Sequence, residues 1–160
     1  MYLDERRPRP QPGSGVRQEP GCGATDRRGV RAGAKRTLSA LPGIFAVCRL
    51  HKDAGVPNWA LQGRWWSVAR TPDELSVVCP LRQVPKGVPC EPGRRCLQVA
   101  GPLDFTLTGV LAALATPLAE AGVSLFAVST YDTDYILVKA ADLQRATRAL
   151  IQAGHAVTAG

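Results

Sequence analysis

The segment from residue 107 to 118 constrains the fold most, because its apolar residues recur in steps of three and four, as on one face of a helix. These apolar residues are Leu107, Val110, Leu111, Leu114 and Leu118. The pattern predicts a helix over about 106–121, with Pro117 in its last turn and Gly122 as its stop. Apolar strand-like segments surround it at 96–101, 123–128 and 135–139, and a second helix pattern follows at 141–153. This order predicts an α+β fold, an antiparallel sheet with helices on one face.

The preceding segment, residues 39–95, predicts three further strands and little helix. Strand-like runs lie at 43–50, 65–71 and 75–79, the last two joined by a turn at Pro72-Asp73. Between the first two runs the chain predicts a loop or one helical turn at 58–61. Four prolines between Pro80 and Arg95 predict a connecting loop.

The two parts share a strand–turn–strand pattern at an offset of sixty residues. This offset lays Val68 on Val128, Glu74 on Asp134 and Val77 on Leu137. We interpret the pattern as an internal repeat of two related units, 39–95 and 96–158, with the first unit reduced.

The first forty residues differ in composition from the rest of the chain. They hold nine basic and four acidic residues, which is most of the net charge of +7, and Tyr2 is their one aromatic residue. With no apolar face to bury, residues 1–38 are predicted to be a disordered basic tail rich in proline and glycine. Deleting them is expected to leave stability unchanged. A nucleic-acid-binding arm is the alternative, although acidic residues interrupt the arginines.

The cysteines and histidines do not form a familiar metal or catalytic pattern. Five cysteines occur without a Cys-x-x-Cys pair, and the composition predicts free thiols in a reducing cytoplasm. No glycine-rich phosphate loop is present, and no apolar run approaches a membrane span. We expect no cofactor, no metal site, no membrane contact and no catalysis.

Three blocks of sequence resemble a known family. They are PGIFAVCRL at 42–50, WWSVARTPDELSVVCP at 65–80 and GPLDFTLTGVLAALATPLAEAGVSLFAVSTYDTDYILVKAADL at 101–143. They are similar to small tandem ACT-domain proteins, relatives of the ACT repeats in cytosolic arginine sensors, over residues 42–155. The resemblance implies a ferredoxin-like ACT architecture, no catalytic machinery, and an amino acid bound between ACT units.

An amino-acid ligand needs partners for both of its charges. Backbone N–H groups at the start of a helix suit a carboxylate, and the predicted helix offers those of Phe105, Thr106 and Leu107, with the Thr106 and Thr108 hydroxyls in reach. Asp104 precedes them. Its ordinary role would be the N-cap of that helix, and its alternative role would be to bind the ligand ammonium.

The turn STYDTDY supplies a second set of candidate ligand-binding residues. Asp134 begins a strand and suits an ammonium, and Ser129 and Thr130 add hydroxyl groups. Asp132 more commonly accepts backbone N–H groups in such a turn. Tyr131 and Tyr135 would either wall the side-chain pocket or pack the sheet.

The sequence therefore predicts a non-catalytic, cytoplasmic sensor that binds a small amino acid. A homodimer and a regulated protein partner are further expectations, whereas nucleic acid is not expected as a partner. The alternative is a structural or interaction module with a nucleic-acid-binding N-terminal arm.

Overall fold

The computed structural model describes residues 35–159, which fall within one compact unit. Eight strands form: β1 (Thr37–Ala40), β2 (Phe45–Leu50), β3 (Ser67–Arg70), β4 (Leu75–Pro80), β5 (Cys90–Val99), β6 (Leu125–Ser129), β7 (Asp134–Lys139) and β8 (Ala156–Thr158). Two helices follow β5 and β7, namely α1 (Val110–Glu120) and α2 (Leu143–Gln152). Short 3-10 turns occupy Asn58–Leu61, Leu81–Gln83 and Ala140–Asp142. The predicted α+β class is confirmed.

The strands form one sheet in the order β3-β4-β2-β5-β1-β8, with β7 pairing β5 and β6 pairing β7. All neighbours are antiparallel except β1 and β8, which run parallel. The ten-residue β5 pairs with β2 near its start and with β1 and β7 near its end. The predicted boundary between the units, after Arg95, falls inside this strand. The division into 39–95 and 96–158 stays a prediction.

Side chains alternate between the two faces of the sheet and build cores on both. On the helix side, Leu97, Ile136 and Val138 pack with Leu114 of α1 and Leu150 of α2. The other face carries a smaller cluster. It contains Phe45, Val78, Cys96 and Leu137, with Trp65 and Tyr135 packed against them. Strands β4 and β7 are therefore buried on both faces.

The prediction of a loop over Pro80–Arg95 is wrong in its last third, because β5 already begins at Cys90. A bulge explains how this strand contains a proline and a glycine. Phe45 pairs with Arg94 and Val47 with Glu91, so two β5 residues face one residue of β2. The bulge interrupts the regular hydrogen bonding between β2 and β5. A proline without an N–H group is therefore tolerated there, and Gly93 takes the left-handed φ of +76°.

The predicted disordered tail lies outside the described residues except for its last four. Within those four the prediction is wrong at Thr37 and Leu38, which begin β1. Leu38 is fully buried and pairs with Val99 on one side and Val157 on the other. Deletion through residue 38 would therefore remove the core residue Leu38. The proposed nucleic-acid-binding arm also lies outside the described residues.

The two hairpins β3–β4 and β6–β7 match, but at an offset of 59 residues. In the first turn the Thr71 N–H donates to the Glu74 carbonyl at 2.9 Å, and in the second the Thr130 N–H donates to the Thr133 carbonyl at 2.9 Å. Val68 pairs with Val77 as Ala127 pairs with Ile136. The predicted offset of sixty is thus wrong by one residue, which places side chains on the opposite face.

The first hairpin lacks the helix that precedes the second. The 3-10 turn Asn58–Leu61 stands before β3 at the point in the order where α1 stands before β6. Among the described residues, no helix has the length and apolar character needed to cross a membrane.

Candidate functional site

A cleft of about 450 Å³ lies where the loop after β5, the start of α1 and the β6–β7 turn meet. It is lined by residues of these three segments: Leu103, Asp104, Phe105, Leu107, Gly109, Val110, Leu111, Ala112, Ser129, Thr130, Tyr131, Thr133 and Asp134. Most of the predicted ligand-binding residues line this cleft. Thr106, Thr108 and Asp132 do not.

Helix α1 begins at Val110, four residues later than predicted. The N-cap position is Gly109, whose left-handed φ of +76° strongly favours glycine. No side chain caps this helix, and no acidic residue lies in its first turn. The first N–H groups of a helix have no partner within the helix, so the N–H groups of Val110, Leu111 and Ala112 form the donor set at this end of the cleft. These three residues were not among the ligand-binding residues predicted from the sequence.

Asp104 does not cap α1, so its predicted N-cap role is wrong. Its Oδ1 instead accepts hydrogen bonds from the Thr106 N–H at 2.8 Å and the Thr106 hydroxyl at 2.6 Å. These hydrogen bonds hold the pKa of Asp104 below its ordinary value, the hydroxyl contributing most. The Leu107 N–H donates to the Asp104 carbonyl at 3.0 Å. Two of the three predicted carboxylate donors are therefore occupied within this turn.

Asp134 stands at the first position of β7 and also lines the cleft. The Ser129 hydroxyl donates to Asp134 Oδ1 at 2.6 Å across the β6–β7 pair. The Thr130 hydroxyl donates to the Thr133 carbonyl at 2.8 Å and stabilises the turn. Ser129 therefore orients the carboxylate of Asp134, and Thr130 shapes the loop that carries it.

Gly101 fixes the loop against the β6–β7 turn. A Cβ atom at this position would lie 2.7 Å from the Asp132 carbonyl oxygen and 3.2 Å from Thr133 Cβ. The adjacent Leu103 N–H donates to the same Asp132 carbonyl at 2.7 Å. The buried Thr133 hydroxyl donates to the Val99 carbonyl at 2.6 Å. Asp132 thus contributes its backbone to the site, whereas its side chain is outside the lining.

The charges lining the cleft are those of two carboxylates, Asp104 and Asp134. Phe105 and Tyr131 form an edge-on aromatic pair at its rim, with ring centroids 5.0 Å apart. Their side chains are 73% and 79% exposed. This arrangement offers amide donors for an anionic group, carboxylates for cationic groups, and an apolar rim.

The described residues contain no group of three or more metal-ligating side chains arranged to hold an ion. His155 is buried and has a structural role, since its Nδ1 accepts a hydrogen bond from the Arg36 N–H at 3.2 Å. Its Nε2 lies 3.2 Å from the Ala113 carbonyl.

A second cavity, of about 890 Å³, lies between the β1–β2 bend and the 63–65 segment. Trp65 forms its wall, with its ring 5.4 Å from Phe45 and 4.9 Å from Tyr135. Arg64 and Arg82 also line it. No sequence pattern indicated these two arginines, which come from the segment before β3 and from the 3-10 turn after β4.

The chain is similar to known protein families and to proteins of known structure. A family model described as the ACT domain matches residues 90–152, and a second model, described as an N-terminal domain, matches residues 43–87. The chain is 36% identical to a protein of Agobacterium tumefaciens of known structure, with a TM-score of 0.75, over 79% of this chain and 94% of that one. Among curated proteins, none matches.

Two further structures share the fold at low identity. Aspartate kinase of Clostridium acetobutylicum is 12% identical with a TM-score of 0.58, covering 76% of this chain and 35% of that one. The regulatory subunit of aspartate kinase from Thermus thermophilus is 12% identical with a TM-score of 0.50, covering 72% and 96%.

These findings define the class as ACT-domain proteins, with the ferredoxin-like ACT fold that the sequence predicts. Within that class, the chain belongs to the same family as the Agobacterium tumefaciens protein.

Proposed function

We propose that this protein is a non-catalytic regulatory sensor that binds an amino acid in the cleft at the start of α1. The single observation that carries the proposal is that partners for both ligand charges line the same cleft. The uncapped N–H groups of Val110, Leu111 and Ala112 suit the ligand carboxylate, and the Asp134 carboxylate suits its ammonium.

The charge of the cleft favours a basic amino acid. An α-ammonium uses one carboxylate, and the second carboxylate, Asp104, is then available to a cationic side chain. Phe105 and Tyr131 offer aromatic rings to the aliphatic stem or to the charged group itself. A basic ligand agrees with the sequence resemblance to relatives of arginine sensors.

The matched hairpins support a tandem ACT arrangement with a reduced first unit. Both turns make the same threonine-centred hydrogen bonds at the same offset, and a 3-10 turn follows β4 as another follows β7. A regulatory role agrees with the descriptions of the two kinase structures, one as an allosteric enzyme and the other as a regulatory subunit.

We further propose that a second copy of the chain closes the cleft. The aromatic rim is exposed, and β6 lies at an edge of the sheet beside it, where its unpaired backbone groups can pair with another strand. Ligand that binds the pair better than the single chain would shift the population toward the dimer and thereby signal to a protein partner.

The direct test is a thermal-shift screen of the full chain against the twenty amino acids at millimolar concentration, followed by calorimetry of each hit. We expect arginine or lysine to stabilise the protein most. Asp134→Asn removes the proposed ammonium partner and should weaken binding by about tenfold or more, since a charge-assisted hydrogen bond contributes about 1.5–3 kcal/mol.

Asp132→Asn is the matched control, because it makes the same change two residues away, outside the lining. Binding to this variant should equal that of the parent chain. A folded protein that responds to no amino acid would contradict the proposed function. Equal loss of binding in both variants would place the ligand elsewhere.

A further inference from the structure

Three of the five cysteines lie together in the core beneath the first half of the sheet. They are Cys48 in β2, Cys79 in β4 and Cys90 at the first position of β5. The neighbouring thiols of Cys79 and Cys90 both add to the rise in the pKa of Cys48. The spacing of the cysteines does not predict this cluster, because Cys79 and Cys90 lie 31 and 42 residues from Cys48 in the chain.

Cys48 and Cys90 stand directly opposite each other on neighbouring antiparallel strands. The Arg49 N–H donates to the Pro89 carbonyl at 3.0 Å, so the next pair along, Arg49 with Pro89, is a hydrogen-bonded one. Because hydrogen-bonded and non-hydrogen-bonded pairs alternate, Cys48 and Cys90 form a non-hydrogen-bonded pair. Such pairs have Cα atoms about 4.5 Å apart, which lies within the range that a disulfide spans.

Cys79 is less well placed to bond with Cys48. The strand register pairs Cys48 with Val77 and Cys79 with Ala46, so the two cysteines are diagonal neighbours. Diagonal positions lie about 7–8 Å apart, beyond the separation that a disulfide bridges without backbone movement. The register therefore distinguishes Cys90, which is directly opposite Cys48, from Cys79, which is its diagonal neighbour.

The two opposed cysteines differ in their access to solvent. Cys48 is 1% exposed, whereas Cys90 is only half-buried, and both residues line a shallow cavity of about 510 Å³. Burial, with the neighbouring thiols of Cys79 and Cys90 adding to it, raises the pKa of Cys48 to about 12. An oxidant dissolved in water therefore meets Cys90 first.

We propose that Cys48 and Cys90 are an oxidation site that forms a disulfide between β2 and β5 on exposure to a hydroperoxide. The Cys90 thiolate attacks one peroxide oxygen, the O–O bond breaks, and hydroxide leaves to give a sulfenic acid. The Cys48 sulfur then attacks the Cys90 sulfur, the S–O bond breaks, and the departing hydroxide takes the Cys48 proton as water. Two thiols and one hydrogen peroxide thus yield one disulfide and two waters.

Peptide mapping of the full chain tests this pairing. The protein is reduced, exposed to hydrogen peroxide, blocked with N-ethylmaleimide and digested with trypsin, which places all five cysteines in different peptides. We expect peptide 37–49 to be linked to peptide 87–94. The intact oxidised monomer, weighed before the N-ethylmaleimide step, should be about 2 Da lighter than the reduced chain, because the disulfide removes two hydrogens. Dithiothreitol should return both peptides to their reduced masses.

Variants then separate the pair from its neighbours. Cys79→Ala should keep the link, because Cys79 is only a diagonal neighbour of Cys48. Cys96→Ala should also keep it, because Cys96 belongs to the cluster on the other face of the sheet. Cys90→Ala should abolish it. A link between peptides 37–49 and 71–82, a link only between chains, or oxidation of Cys90 without any link would each overturn the proposal. The map of the unmodified chain decides the question even where a variant fails to fold.

Discussion

Replacing Gly101 by alanine tests how the cleft is held together. The added Cβ would lie 2.7 Å from the Asp132 carbonyl oxygen, a distance that real Cβ contacts essentially never show. The nearest atom is backbone, and Thr133 Cβ is bonded directly to the backbone, so no flexible side-chain end can move aside. The loop must therefore shift away from the β6–β7 turn, and the hydrogen bond from the Leu103 N–H to Asp132 is weakened or lost.

The expected cost follows from these contacts. Forcing one extra carbon into a packed site costs about 1–3 kcal/mol, and one backbone hydrogen bond contributes about 0.5–1.5 kcal/mol. A glycine-to-alanine change also stabilises by about 0.4–1 kcal/mol, because the unfolded chain loses freedom. The net loss in the free energy of unfolding should be about 2 kcal/mol.

Urea unfolding of the full chain measures this loss. With an m-value of about 2 kcal/mol per molar urea, the midpoint should fall by about 1 M while the m-value stays the same. Gly55→Ala is the matched control, since a Cβ added at Gly55 would meet no atom within 4 Å and the residue has no left-handed φ. That variant should be as stable as the parent chain or slightly more so.

The two glycine variants together test whether the loop is packed against the β6–β7 turn. If Gly101→Ala and Gly55→Ala unfold within about 0.5 kcal/mol of each other, the loop is not packed against the turn as described. If Gly101→Ala is destabilised and also binds its amino acid more weakly, the position of the loop contributes to the cleft.

Two further predictions concern the sheet and the Asp104 turn. Leu38→Ala should lower the free energy of unfolding by about 3 kcal/mol in the same urea assay, because the side chain is fully buried, whereas Ile151→Ala, at a half-exposed residue, should cost much less. The Asp104 carboxyl should titrate by NMR below its ordinary pKa, and Thr106→Val should raise the midpoint. Since the folded-state pKa is lowered, the contribution of this turn to stability is present at neutral pH and is lost as the pH falls through that pKa. An unchanged midpoint in Thr106→Val would contradict this cause.

The sequence predicted the class of fold and the segments that form the cleft, because their apolar patterns are strong. It placed the start of α1 wrongly, since Leu107 has the helical spacing from Leu111 while local hydrogen bonds favour another conformation. The Asp104 side chain binds Thr106 in a tight turn, and Gly109 reverses the sign of φ before the helix begins. Local hydrogen bonds of this kind can prevent a helix from forming, although the apolar spacing of the sequence does not reveal them.

The exact offset between the two hairpins also could not be predicted from the alternation of apolar and polar residues. Val77 and Val78 are both buried, as are Ile136 and Leu137, because these strands lie between two cores. A run that is apolar on both faces fits equally well at offsets of 59 and 60. The threonine hydrogen bonds in the turns fix the offset, and they become visible only in the folded chain.

The short strands β1 and β8 escaped prediction for a different reason. They contain four and three residues, too few for a recognisable pattern, and they pair with residues more than a hundred positions away. Their pairing depends on the closed sheet rather than on local preference.

A fragment of this protein must contain β1 if its sheet is to stay complete. The ACT match begins at residue 90, yet β8 has its sheet neighbour in residues 37–39, far upstream of that point. An excised piece that starts at 90 would leave the β1 edge of β5 bare and β8 without a neighbour. Fragments expressed for ligand studies should therefore begin before Lys35, so that both edges of β5 keep their hydrogen bonds.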